Sequence, residues 1–280
     1  MSQWVFINDD FVSEVNARIH FRDLAIQRGY GIFDFFKISG GIPLFLDHHL
    51  ERFFYSATQM RLPIIKAKQE LEEIIQQLIS KNNITDAGIR MTVTGGYSTD
   101  GYSINQPNLI ISQQGFQAPS KEQFQKGIKL ITYEHQRQLP HVKSIDYLMA
   151  IWIQPLVLQQ AADDVLYYQN GVVTECPRSN FFMITATGKI VTPKQDILNG
   201  VIRGRLLETL QNNFEIEERD IRLTELPKAA EAFITSTTKN ILPVAFIDNH
   251  PIGTGSAGKL TKEIAEIFQT RLQQYAPSLK

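Results

Sequence analysis

Lys143 lies in "PHVKSIDYLMAI", just before an apolar segment and flanked by Val142 and Ile145. Partial desolvation there would lower the amine's pKa and make it a better nucleophile towards carbonyls. Taken alone, a lysine in such a place more often extends its head group to water. Glu175 raises a parallel question. It ends an apolar run in "NGVVTECPRSNFF", either as a strand end meeting solvent or as a carboxylate placed to face a basic ring. Three further features suit anions. "NGVIRG" (199–204) opens a helix, whose first amides suit phosphate. "TSTTKN" (235–240) offers the hydroxyls of Ser236, Thr237 and Thr238 on a turn, and Arg52 in "HHLERF" adds a charge-assisted donor. A reactive amine, two phosphate cradles and a carboxylate facing a heterocycle together specify pyridoxal 5′-phosphate.

Other motifs lead elsewhere and are weaker. "GTGSAGKL" (253–260) has the spacing of a phosphate loop, but Leu260 stands where a hydroxyl must reach magnesium, so it reads as a turn. The six histidines show no ligand spacing, and no metal site is expected. A net charge of −1 with interspersed signs gives no basic stripe for nucleic acid. The single cysteine, Cys176, excludes an internal disulfide and suits a reducing, cytoplasmic setting. The N-terminal residues lack the pattern of a signal peptide, and no run approaches the roughly 20 apolar residues of a membrane span.

The elements that must position these groups follow from periodicity. Strands are expected at "WVFIN", "GIFDFFKIS", "GIRMTVT" and "NLIIS", with a Gly40–Gly41 hairpin turn. Helices are expected over "LDHHLERFFYSATQM", burying Leu50, Phe53, Phe54 and Ala57, and over "AKQELEEIIQQLISKN", burying Leu71, Ile74, Ile75 and Leu78. A small N-terminal domain (1–115), a polar linker (116–123) and a larger C-terminal domain (124–280) are expected. The second half opens with "GIKLITYE", and a helix is expected at about 145–162, kinked at Pro155. Asn170–Gly171 and "ATGK" mark two hairpins, and a helix closes the chain from about 258. Strands and helices alternate without the regular spacing of a doubly wound sheet, so the fold class is α+β in two domains.

The motifs, in order, are "RDLAIQRGYGIFDFFK", "HLER", "VKSIDYL", "VVTECPRSNFF", "LNGVIRGRL" and "TSTTKNILPV". In this order they resemble the class IV aminotransferases, the fold-type IV pyridoxal phosphate enzymes, across nearly the whole chain. The resemblance implies that Lys143 carries the cofactor covalently and that Glu175 pairs with its ring nitrogen. It implies that Arg52, the amides of Val201 and Ile202, Ser236 and Thr237 hold the phosphate. It also implies a homodimer in which partner residues complete each site.

Departures from the family's pattern bear on substrate. Arg28 precedes Gly29–Tyr30–Gly31 where relatives usually carry an aromatic residue, and Arg178 stands where D-amino acid enzymes have a small one. The Arg-x-His pair of those enzymes is absent from "TGGYSTDGYS" (94–103). Arg28 and Arg178 are expected to bind the substrate carboxylate, with Tyr30 and Thr238 beside it. The alternative for both arginines is a structural ion pair or a subunit contact. A D-amino acid transaminase using 2-oxoglutarate is expected. A branched-chain L-amino acid aminotransferase, with Phe33, Tyr30 and Tyr97 lining an apolar pocket, is the first alternative. An aminodeoxychorismate lyase, which "VTEC" and "GYS" resemble, is the second.

Overall fold

Successive strand residues point to opposite faces, so Gly31–Ser39 sends Ile32, Asp34, Phe36 and Ile38 one way and Phe33, Phe35 and Lys37 the other. The computed structural model describes residues 3–276 and builds a first unit around this strand. That unit takes in residues 3–116, Val142–Asp146 and residues 275–276. Its elements are β1 (Trp4–Ile7), β2 (Asp10–Ser13), α1 (Leu24–Arg28), β3 (Gly31–Ser39), β4 (Ile42–Pro43), α2 (Leu46–Gln59), α3 (Lys68–Asn82), β5 (Ala87–Thr94) and β6 (Leu109–Gln114). The strands form one sheet in the order β2-β1-β6-β5-β3-β4. Ile32, Phe36 and Ile38 pack with Ile89, Met91 and Val93 of β5 against Leu50 and Phe53 of α2 and Leu71 and Ile75 of α3. Each such buried side chain contributes about 1.5–3 kcal/mol relative to exposure. Phe54 and Ile74, expected inside, are only partly buried at the edge of this cluster. The Gly40–Gly41 turn forms as expected, with φ of 56° and 80° at the two glycines.

The second unit contains Gln117–His141 and Tyr147–Gln274. Its elements begin with α4 (Lys121–Lys126), β7 (Ile128–Glu134), α5 (Leu148–Trp152), α6 (Gln154–Gln159), β8 (Asp164–Gln169), β9 (Val172–Val173), β10 (Glu175–Cys176), β11 (Ser179–Ile184) and β12 (Ile190–Thr192). They continue with α7 (Val201–Leu210), β13 (Ile216–Glu218), β14 (Ile221–Arg222), β15 (Glu231–Ser236), β16 (Asn240–Ile247), β17 (His250–Pro251) and α8 (Lys259–Tyr275). The sheet runs β13-β12-β11-β15-β16-β7-β8-β9-β14, with β10 on β11 and β17 on β16. Parallel β16-β7-β8 pairing is flanked by antiparallel hairpins. This mixture is the α+β class expected.

Two local expectations need correction. The helix expected at 145–162 is two short helices that meet at Ile153. Pro155 lies in the first turn of α6, where its missing N–H removes no helical bond. The last residues of the 116–123 stretch already enter α4. There Ser120 accepts from the Gln123 amide and the Gln123 side chain accepts from the Ser120 amide, a reciprocal cap. Among the described residues no helix is long and apolar enough to cross a membrane.

Candidate active site

Lys143 is held by backbone pairing to the start of β3. Its carbonyl accepts from Phe33 N–H at 2.9 Å, and Ile145 N–H donates to the Gly31 carbonyl at 3.0 Å. Ser144 bridges Ile32, and the Lys143 amide donates to Ser56 Oγ at 3.2 Å. The half-buried side chain places Nζ 4.6 Å from the centre of the Phe33 ring. The Arg90 guanidinium lies 3.9 Å from the same centre. Arg90 was not singled out by the sequence, because only the β3–β5 register, which sets it opposite Phe35, brings it to Phe33.

Asp34 explains how Arg52 is aimed. From the inward face of β3 it accepts Arg52 Nε on Oδ2 and Nη2 on Oδ1, both at 2.8 Å, a two-point fork of fixed geometry. His49 Nδ1 lies 2.7 Å from Oδ1. Burial alone would raise the Asp34 carboxyl, but Arg52 and His49 together pull it well below the usual carboxylate range. Burial lowers the His49 pKa against the pull of Asp34, with Arg52 and Lys143 adding to the fall. An ionised carboxylate can only accept, so the short contact requires a proton on His49 Nδ1, which donates to Asp34. A signal for Asp34 was available: it is the one acid inside the apolar run "GIFDFF". The Tyr30 hydroxyl donates to the Met60 carbonyl at 2.6 Å, which fixes its ring within the first unit.

In the second unit, the Glu175 side chain does not reach solvent as a strand end would; the residue is 4% exposed. Its Oε2 accepts from Leu198 N–H at 3.0 Å and from Asn180 Nδ2 at 3.2 Å. Asn180 faces Glu175 across the β10–β11 ladder and also donates to the Leu198 carbonyl at 2.8 Å. Arg137 Nη1 lies 3.4 Å from Oε1. Neither Asn180 nor Arg137 was picked out from the sequence.

Beyond Leu198 the chain turns into α7. Gly200 caps it with no side-chain hydrogen bond of its own to the first amides, those of the buried Val201 and Ile202. A Cβ at Gly200 would meet Asn180 Oδ1 at 2.0 Å, so only glycine lets the helix start this close to the residue that holds Glu175. Arg203 pins the helix from below, donating to the Pro193 carbonyl at 2.9 Å and pairing with Glu218. The hydroxyl cluster lies at the β15–β16 hairpin, where Ser236 pairs with Asn240 across the turn. Ser236 Oγ and Thr238 Oγ1 are 3.5 Å apart, and all three hydroxyl residues are half-buried. These features fit a phosphorylated pyridine aldehyde. An amine suits the carbonyl, a fixed carboxylate suits the ring nitrogen, and a glycine-led helix start and a hydroxyl turn suit the phosphate.

Arg28 and Arg178 are both exposed. Neither forms an ion pair among the described residues. Arg28 donates only to the Gln27 carbonyl, at 3.0 Å. It lines a recess of about 450 Å³ on the first unit with Arg22, Ser98 and Asp100. Within this chain, the structural ion-pair alternative for the two arginines finds no support. Cys176 is buried, and burial followed by the Asp164 charge pushes its thiol well up, so thiolate chemistry is not available to it.

Residues 31–247 match the model of the family described as amino-transferase class IV. The chain is 30% identical over 274 residues to a D-alanine aminotransferase of Bacillus licheniformis, with 96% of each chain covered. Its fold is similar to the branched-chain amino acid aminotransferase of Escherichia coli, with a TM-score of 0.89 at 23% identity, covering 96% of this chain and 94% of that one. It is similar too to the branched-chain aminotransferase of Thermoproteus uzoniensis, solved with norvaline, with a TM-score of 0.88 at 22% identity. That match covers 100% of this chain and 98% of the other. At such identities the two solved structures speak for the fold alone, the two-domain α+β fold type IV expected above.

Proposed function

The chain belongs to the class IV aminotransferases, and on that premise we propose that it moves an amino group between a D-amino acid and a 2-keto acid such as 2-oxoglutarate. The cofactor of this class is pyridoxal 5′-phosphate. When bound, it supplies an aldehyde carbon that takes and returns the amino group and a ring that draws electrons from the substrate α-carbon.

In this reading Lys143 holds the aldehyde carbon and, once displaced by substrate, moves the proton between the substrate α-carbon and that carbon as base and then acid. Glu175 keeps the ring nitrogen protonated. Arg52, aimed by Asp34, the amides of Val201 and Ile202, and the hydroxyls of Ser236 and Thr237 hold the phosphate. Arg28 and Arg178 take the substrate carboxylate, with Tyr30 and Thr238 alongside. Arg90 and Lys143 each place a cation over the Phe33 ring.

The observation that carries the transaminase reading is the buried Glu175. A carboxylate that deep, held by two donors on one oxygen, is built to face a buried cation. The D-amino acid preference is supported by 30% identity over 96% of both chains to an enzyme named D-alanine aminotransferase. The branched-chain reading rests on the shared fold alone.

Half-reaction rates with D-alanine, D-glutamate and L-leucine decide between them. D-alanine and D-glutamate are expected to react and L-leucine to lag. A strong preference for L-leucine would hand the function to the branched-chain reading. Arg28→Leu and Arg178→Leu each remove a charge-assisted contact, typically about 1.5–3 kcal/mol. Each should slow all reactive substrates by roughly tenfold to a hundredfold, with cofactor retention unchanged. A variant that reacts at the parent rate removes its arginine from the carboxylate site.

A homodimer is part of the same proposal. Leu148, Ile151 and Trp152 on α5 are 76%, 70% and 63% exposed, a run of large apolar side chains that water disfavours. Sedimentation should give about twice the 31.9 kDa chain mass; a fully active monomer would refute it. With its one cysteine, the enzyme suits the reducing cytoplasm, where we place it.

A further inference from the structure

Lys239 ends the hairpin turn that carries Ser236, Thr237 and Thr238, and it points inward where lysines usually extend to solvent. Its Nζ pairs with Asp164 Oδ2 at 2.8 Å and donates to Ser179 Oγ at 3.0 Å. The two charged side chains are only 14% and 8% exposed. The Lys239 amide returns to Ser236 Oγ at 3.2 Å, so backbone and side chain of one residue brace both ends of the turn. Of the three anchored segments, β11 and the hairpin are sheet neighbours, with Asn180 opposite Thr235, whereas β8 is more distant in the sheet order. Asp164 opens β8 and Ser179 opens β11, four strands apart in the sheet order, yet one ammonium reaches both. The sheet therefore curls round this point. Ser179 is next to Asn180, which holds Glu175.

Ordering a lysine side chain and taking two charges out of water is costly, and a buried pair is weak evidence for stability as such. What the pair does achieve is to fix one geometry for a short turn with two consecutive threonines, next to the strand that carries the Glu175 hairpin. We propose that Lys239 is a positioning residue, whose buried ion pair with Asp164 holds Ser236 and Thr237 in the arrangement that takes the cofactor phosphate. This rests on the phosphate reading of the turn proposed above. Lys239 touches neither the phosphate nor the reacting atoms; it acts through the hydroxyls.

The test compares two probes on the full chain, pyridoxal 5′-phosphate and phosphate-free pyridoxal, reading the visible absorbance of covalently held cofactor during titration. Lys239→Met leaves Asp164 charged and buried, which by itself threatens folding. The double variant Asp164→Asn with Lys239→Met removes both charges at similar volume and is the decisive one. Its affinity for pyridoxal 5′-phosphate should fall about tenfold to a hundredfold, the value of one charge-assisted hydrogen bond to phosphate. Affinity for pyridoxal should stay within about twofold, since that ligand has no phosphate for the turn to hold. Lys239→Arg, which keeps the charge and can reach Asp164, should recover most of the loss. Equal losses for both probes would show a merely structural lysine and overturn the proposal, as would no loss for either. A parent protein that holds pyridoxal as tightly as pyridoxal 5′-phosphate would instead overturn the phosphate assignment of the turn itself.

Discussion

Lys143→Ala abolishes transamination, by more than about four orders of magnitude, and leaves the protein without the visible absorbance of covalently held cofactor. Methyl and hydrogen can neither bond a carbonyl carbon nor carry a proton, so the loss comprises both roles of the amine. The fold should survive, because Lys143 is positioned by its backbone. Its carbonyl and the Ile145 amide pair with β3, and its amide bonds Ser56, none of which involves the side chain. A melting temperature close to the parent's would confirm that chemistry alone was lost. Borohydride reduction of the parent followed by peptide mapping should find the cofactor on Lys143. The competing lysines are engaged elsewhere: Lys129 Nζ donates to the Gln160 carbonyl and Asn249, and Lys239 is paired with Asp164. A label on either of them would sink the assignment.

Glu175→Gln slows the chemical step by roughly two to four orders of magnitude, about 3–5 kcal/mol in the barrier, while cofactor still binds. The amide keeps the shape and loses the charge that favours a protonated ring nitrogen. The surroundings dictate how the new side chain sits. Leu198 N–H and Asn180 Nδ2 both donate at Oε2, so the amide oxygen must take that place and the NH₂ must turn towards Arg137. Two donors then face each other there, and a stability loss of about 1–3 kcal/mol accompanies the kinetic one. Stopped-flow measurement of the half-reaction separates the two effects, because it follows only the cofactor-loaded fraction. Near-parent rates in that experiment would reduce Glu175 to a structural carboxylate.

Much of the architecture was legible because it is local. Asn170–Gly171 adopts φ of 51° and 74°, the left-handed pair that a two-residue hairpin demands and that these two residues accept readily. The apolar spacing of α2 puts Leu50, Phe53 and Ala57 on its buried face for the same kind of reason, since 3.6-residue periodicity is written in the chain itself. The apolar segment after Lys143 misled, because periodicity reports apolar residues without reporting what will cover them. Leu148, Ile151 and Trp152 are exposed on the single chain, and the segment breaks at Ile153.

The sequence by itself determined which chemical groups this protein owns: an amine before an apolar segment, a carboxylate at a strand end, a glycine-led helix start, a hydroxyl turn and several arginines. Only the tertiary structure decided what each group touches. Arg52 is aimed by an acid 18 positions away, Glu175 is held by the Leu198 amide 23 positions on, and Lys239 is drawn inward by Asp164 at a separation of 75. Arg90 meets Phe33 only through the β3–β5 register. Hydrogen bonds and ion pairs act over a few ångströms in space, and desolvation depends on whichever segments pack together. Sheet register and chain crossings set both, and no local pattern of residues encodes them.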